Sequence, residues 1–195
     1  MRLLPLPDGS LRLRLDIDEA RLLDQLTGQL IDLLQSHSRT ALDPDPLFAS
    51  LEVGGSREPP NDPALARLFP DAYETGDDAA QFRSLTEQGL LNRKLHDALA
   101  VTSELALGRP PAAVEESDAE GDGGGTVDAL ITTASLAPWV RTLTALRLAI
   151  AARIGLDAES DHPRLLADEE TRGTVLVYDW LGAILDSLLR MLTPE

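Results

Sequence analysis

The sequence predicts a mainly α fold, a helical bundle of about five helices with a small N-terminal antiparallel β element, made of a hairpin plus a strand near residues 126–131. Three observations predict it. Apolar residues recur at helical spacing in several long stretches. Leu11, Leu13 and Leu15 alternate with Arg12 and Arg14, the period of a strand with one covered face. The chain of 195 residues, 43% of them apolar, is long enough to close one core, so residues 1–195 read as a single domain.

The elements follow in order. Arg2–Leu6 and Leu11–Leu15 are short apolar-rich runs joined by Pro7-Asp8-Gly9-Ser10, and Pro with Asp-Gly is strong turn chemistry. A lone hairpin is marginal, so a further strand or a helix must cover its leucine face. A helix is expected over 17–36. Asp16 with Glu19 three residues on resembles a capping box, and Leu22, Leu23, Leu26, Leu30, Leu33 and Leu34 form its stripe. Residues 37–61 lose periodicity and carry Pro44, Pro46, Gly54, Gly55, Pro59 and Pro60, which predicts a flexible loop. Asp62-Pro63 places a cap before a first-turn proline, opening a short helix that ends at Pro70. A longer helix follows over 78–106, with Phe82, Leu85, Leu91, Leu95, Leu99 and Thr102 as its expected inward face.

Residues 108–125 hold five acids and one base among glycines and prolines, and read as a disordered acidic linker. Beyond it Val127, Ala129 and Ile131 alternate with Asp128 and Leu130, a strand to pair with the hairpin. The next helix tolerates Pro138 in its first turn, carries Trp139, Leu143, Leu146, Ile150 and Ile154, and ends at Gly155. His162-Pro163 breaks the chain before a short turn at 163–167. The last helix, 171–192, is apolar on most sides, which suits either a central position or one half-buried in a homodimer interface.

Composition narrows the function. With 17 basic against 33 acidic side chains the net charge is −16. Such a surface repels phosphate backbones, so direct DNA binding is not expected of it, although one basic patch remains open. There is no cysteine, which removes disulfides, thiolate nucleophiles and thiol redox sensing. The start of the chain has no apolar run of signal-peptide length and no window suits a membrane span, so the expected location is cytoplasmic.

Little catalytic chemistry is visible. His37, His96 and His162 lie in different elements at no metal-ligand spacing. The acidic pairs Asp77-Asp78, Glu115-Glu116 and Glu169-Glu170 are sequence neighbours, which do not converge on one cleft. Gly123–Gly125 lacks the Lys-Ser/Thr of a phosphate loop, and Gly54-Gly55-Ser56 is not a nucleophile elbow. No catalytic residue, metal site or cofactor is expected. The bases say more. Arg67, Arg83, Arg93, Lys94, Arg141, Arg147 and Arg153 lie on or beside expected helices, and Lys94 is the only lysine. They suit either pairing within helices, as Arg83 and Glu87 four apart allow, or a patch for a partner. Trp139 and Trp180 divide likewise between core and interface anchor.

An ordered set of segments carries a family resemblance. It comprises Leu65-Ala66-Arg67-Leu68-Phe69-Pro70-Asp71-Ala72-Tyr73, Phe82-Arg83, Leu90 and Lys94. Trp139, Leu143, Arg147-Leu148, Arg153-Ile154-Gly155 and Tyr178-Asp179-Trp180-Leu181 complete it. With the hairpin and the leucine helix, it resembles an actinobacterial domain-of-unknown-function family. Genes of that family often neighbour the gene of the ClpS proteolysis adaptor, and one member is an oxidative-stress transcriptional regulator. The resemblance implies a regulator that works with a stress sigma factor through a disulfide near its N-terminus. Two departures limit the transfer: the chain has no cysteine to form that disulfide, and Thr144-Ala145 stand where the family pattern has Asn-Asp. The expectation is a non-enzymatic regulatory protein of transcription or stress response that acts through protein–protein contacts without thiol switching. Its partner would be RNA polymerase or a sigma factor, with Arg67, Arg83, Lys94 and Arg147 as partner-binding residues. The alternative is an accessory factor for Clp-type proteolysis with Clp components as partners.

Overall fold

The computed structural model describes residues 1–41, 57–107 and 125–192. Strands β1 (Arg2–Pro5) and β2 (Leu11–Asp16) form the hairpin. Gly9 closes its turn at φ 80, a conformation that favours glycine, and the Asp8 carboxylate accepts from the Ser10 backbone N–H and hydroxyl at 3.0 and 2.6 Å. Strand β3 (Thr126–Ile131) pairs antiparallel with the other edge of β2, giving the order β1-β2-β3. The register sets Arg14 opposite Asp128, and the two form a bidentate ion pair at 2.7 and 2.8 Å. That register turns Leu11, Leu13, Leu15, Val127, Ala129 and Ile131 to one buried face.

Six α-helices occur among the described residues: α1 (Ile17–Ala41), α2 (Pro63–Leu68), α3 (Gly76–Leu107), α4 (Leu136–Ile154), α5 (His162–Ala167) and α6 (Arg172–Leu192). The Asp16–Glu19 capping box forms in both directions, at 2.7 and 3.0 Å. Helix α1 runs to Ala41 rather than stopping at residue 36. No glycine or proline stands between residue 36 and Pro44, and the last part of the helix is anchored by the buried His37. Residues 42–56 of the expected loop and 108–124 of the expected linker lie outside the described residues. Asp62 caps α2 as its sequence suggests, accepting from the Ala64 and Leu65 backbone N–H groups at 2.8 and 3.1 Å. Gly155 ends α4 in the left-handed conformation at φ 69. A 3₁₀ turn at Glu159–Asp161 precedes α5.

The core lies where α1, α3, α4 and α6 meet the leucine face of the sheet. Leu23, Leu30 and Leu34 of α1, Leu91, Ala98 and Val101 of α3, Trp139, Leu143 and Leu146 of α4, and Leu181, Ile184 and Leu188 of α6 share it. A smaller cluster of Ala151, Leu156, Leu165 and Val175 seats α5. Trp139 is wholly buried and Trp180 half-buried in this packing. Helix α6 buries one face and leaves Leu176, Leu189 and Met191 exposed. Among the described residues no helix is long and apolar enough to cross a membrane.

The inward face of α3 differs from the expected one. Of that face Leu91 is buried and Leu95 and Thr102 are half-buried, but Phe82, Leu85 and Leu99 are exposed, at 39%, 73% and 50%, and Arg83, Glu87, Ala98, Val101 and Leu105 take buried positions. The helix is turned because two charged side chains take inward positions and satisfy each other there.

Candidate functional site

The first half of α3 holds the unusual chemistry. Arg83 and Glu87 stand one turn apart and both are buried, at 6% and 4% exposure. Arg83 Nη1 donates to Glu87 Oε2 at 2.7 Å and to the Phe69 carbonyl at 3.1 Å, and its Nη2 donates to Asp71 Oδ1 at 2.6 Å. Glu87 Oε1 lies 2.8 Å from His37 Nε2, and because a carboxylate only accepts, the ring nitrogen is the donor. The His37 ring stacks on Phe69 at 5.5 Å. Burial works against the guanidinium charge, but the hydrogen bonds to Glu87 and Asp71 outweigh it and hold the Arg83 pKa above the ordinary value. This network clamps the end of α1 and the end of α2 to α3.

About two turns beyond Glu87, Lys94 is half-buried with its ammonium 5.8 Å above the centre of the Phe69 ring. Burial lowers its pKa, with Asp97 acting in the opposite sense. Asp97 is itself buried and bound bidentately by Arg141 of α4, at 2.6 and 2.9 Å. Between α3 and α4, floored by Leu30 of α1, lies a cleft of about 250 Å³. Arg93, Lys94 and Arg141 line it together with Leu90, Val140 and Leu148. Leu90 also lines the shallow depression that holds Phe82, Thr86 and Glu87, and Phe82 meets Tyr73 edge to face at 5.5 Å. A strip of exposed apolar side chains therefore runs from Tyr73 through Phe82 and Leu90 to a cationic cleft, in a chain whose net charge is −16.

The four bases singled out from the sequence fall into two pairs. Arg83 and Lys94 meet at Phe69, one at its carbonyl and one over its ring. Arg67 reaches the Leu156 carbonyl at 3.0 Å and Asp157 at 2.9 Å. Arg147 lies with Leu156 and Asp157 along another cleft, its guanidinium 4.2 Å from the centre of the Tyr178 ring. The absence of a Cβ at Gly182 makes room for it, since a Cβ there would come within 3.2 Å of the guanidinium carbon. The intrahelical pairing expected of Arg83 with Glu87 is present, but as a buried contact rather than a surface one. Sequence reasoning missed His37, Asp71 and Asp97 as members of the site. The signal available for Asp97 was an acid on the same helix as Lys94, three residues on.

A helical layer over a short antiparallel sheet, with a buried charge network beneath an exposed apolar and cationic strip, defines the class. Among the described residues no three acidic or histidine side chains group as metal ligands. The chain belongs to the family described as a domain of unknown function, DUF2017, which matches residues 2–192. It is 28% identical over 179 residues, 88% of this chain and 77% of the relative, to a Mycobacterium leprae protein described as a proposed oxidative stress regulator, AosR. No solved structure matches the chain.

Proposed function

We propose that this chain is a regulatory protein without catalytic chemistry of its own, acting in transcription or the stress response through contact with another protein. The observation that carries the reading is the strip along α3 and the segment just before it. Tyr73, Phe82, Leu85 and Leu90 are 52%, 39%, 73% and 42% exposed, next to Arg93 and Lys94. Adjacent apolar area and unneutralised positive charge in an acidic protein suit an acidic partner surface with an apolar centre. The relative described as a stress regulator supports the regulatory role. The proposed regulation does not involve a thiol switch in this chain, which has no cysteine. RNA polymerase or a sigma factor is the proposed partner.

The test is affinity capture from nuclease-treated native lysate, read by mass spectrometry, with the wild-type chain, Leu85→Glu, and charge reversals at Arg67, Lys94 and Arg147. The expected result is enrichment of RNA polymerase or a sigma factor by the wild type. That enrichment is lost in Leu85→Glu with unchanged melting temperature, and is lost in Lys94→Glu as well. Equal capture by all variants overturns the strip as the contact surface. Enrichment of Clp components instead replaces the transcriptional reading with a role in Clp-type proteolysis.

A further inference from the structure

Most arginines of the described residues already have acidic partners: Arg14 with Asp128, Arg67 with Asp157, Arg83 with Glu87 and Asp71, Arg141 with Asp97, Arg153 with Asp62, Arg190 with Asp186. Arg93 and Lys94 differ. Among the described residues neither makes a hydrogen bond or a close ion pair, and both line the cleft between α3 and α4. Lys94 is half-buried, and only the Phe69 ring and the Arg141-bound Asp97 offset the hydration its ammonium loses. An acidic chain with twice as many carboxylates as bases has left these two cations open where they share one cavity.

The remaining charges of the cleft are balanced. Asp97 is held at both carboxylate oxygens by Arg141, so those two cancel and the cleft keeps the charge of Arg93 and Lys94. The other walls are Leu30, Leu90, Val140, Ala145 and Leu148, with Thr142 and Thr144 as the uncharged polar side chains. We propose that this cleft is a binding site for a small amphipathic carboxylate, with the carboxylate on Lys94 and Arg93 and the hydrocarbon part against Leu30, Leu90, Val140 and Leu148.

Three features select that class. The volume, about 250 Å³, lies below the usual range for drug-sized ligands, roughly 300–1,000 Å³, and suits a short chain or single ring. Of the two threonines, Thr144 already donates to the Val140 carbonyl, so a compact, fully hydrated dianion such as phosphate would meet mostly leucine and valine. The Phe69 ring under Lys94 fixes the ammonium in place and offers no acceptor to compete with a ligand. The cleft shares Leu90, Arg93 and Lys94 with the proposed contact surface, and its test is separate because it uses the purified chain alone.

The experiment uses the full chain with isotope-labelled lysine. As Lys94 is the only lysine, its side chain gives one signal, followed by NMR during titration with sodium octanoate, octan-1-ol and inorganic phosphate. Calorimetry supplies the affinities for wild type, Lys94→Met and Arg93→Gln. Expected are a saturable shift of the Lys94 signal with octanoate and none with octanol. The octanoate Kd rises about tenfold in Lys94→Met, as for loss of a charge-assisted hydrogen bond. Arg93→Gln weakens binding as well. Arg93 is exposed, so that variant keeps the test intact if Lys94→Met unfolds. An equal response to octanol, tighter binding of phosphate than of octanoate, an unchanged Kd in Arg93→Gln, or no saturation by octanoate each overturns the proposal.

Discussion

The buried network under α3 makes a sharp prediction about stability. Glu87→Ala removes the acceptor of both Arg83 Nη1 and His37 Nε2 while all three sites stay buried. Breaking one member of a buried ion pair typically costs about 3–5 kcal/mol, because the remaining charge is left without compensation. Here Arg83 keeps Asp71 and the Phe69 carbonyl, so the lower end applies, about 3 kcal/mol. For a chain of this size each kcal/mol lowers the melting temperature by about 2–4 °C, giving a drop of about 6–12 °C. Replacing both partners by apolar groups of similar shape, Arg83→Met with Glu87→Leu, removes both buried charges of the pair. The double variant recovers most of the loss, and the double-mutant cycle gives a coupling of about 2 kcal/mol or more. Urea unfolding of wild type, Arg83→Met, Glu87→Leu and the double variant measures all four corners, with Glu87→Ala measured beside them. A Glu87→Ala cost below about 1 kcal/mol, the range of an exposed pair, would refute the reasoning, as would strict additivity of the two changes.

Other outcomes follow from the same geometry. Asp128 has its pKa held below the ordinary carboxylate value, chiefly by its hydrogen bond from Arg14, with burial opposing and the Arg14 and Arg12 charges assisting. Its folded pKa is the lower one, so the stability it confers is complete above the unfolded value near 4 and is lost as pH falls through the folded value. The stability difference between wild type and Asp128→Asn, from urea titrations between pH 6 and pH 2.5, should therefore shrink as pH falls. A difference constant across that range would show that the Arg14 pairing is not its source. Asp62→Ala removes two cap hydrogen bonds and the ion pair to Arg153 at 2.7 Å, and should cost about 1 kcal/mol by urea unfolding.

Much of the fold was legible in the sequence because the signals that specify it are local. Leu11, Leu13 and Leu15 reach the buried face because a strand has a period of two, and Val127, Ala129 and Ile131 answer them across the ladder. Asp16 with Glu19, Asp62 before Pro63, and Gly155 after Ile154 mark helix ends by chemistry that acts within one turn. The end of α1 was not legible for a different reason. Its last turns are held by His37 against Glu87, fifty residues away, and no local pattern at residues 37–41 encodes that contact.

Helix α3 shows why the site itself was hidden. Periodicity places apolar residues inward, and Phe82, Leu85 and Leu99 offer an apolar series to align on. The helix instead buries the row through Arg83, Glu87 and Leu91, because Arg83 and Glu87 neutralise each other and meet the Phe69 carbonyl and His37. Turning a helix by one residue moves its surface by about 100°. Once the charged pair is inside, Phe82 and Leu85 have to be outside, and Leu90 and Lys94 come to the rim of the cleft. The exposed strip and the buried network are thus one feature seen from two sides. A variant that keeps Arg83 and Glu87 but removes the strip should leave folding intact. A variant that breaks the network should disturb the fold and the strip together. Loss of partner capture in the first variant, with folding intact, separates a surface retained for contact from apolar residues that are exposed only because the helix had nowhere else to put them.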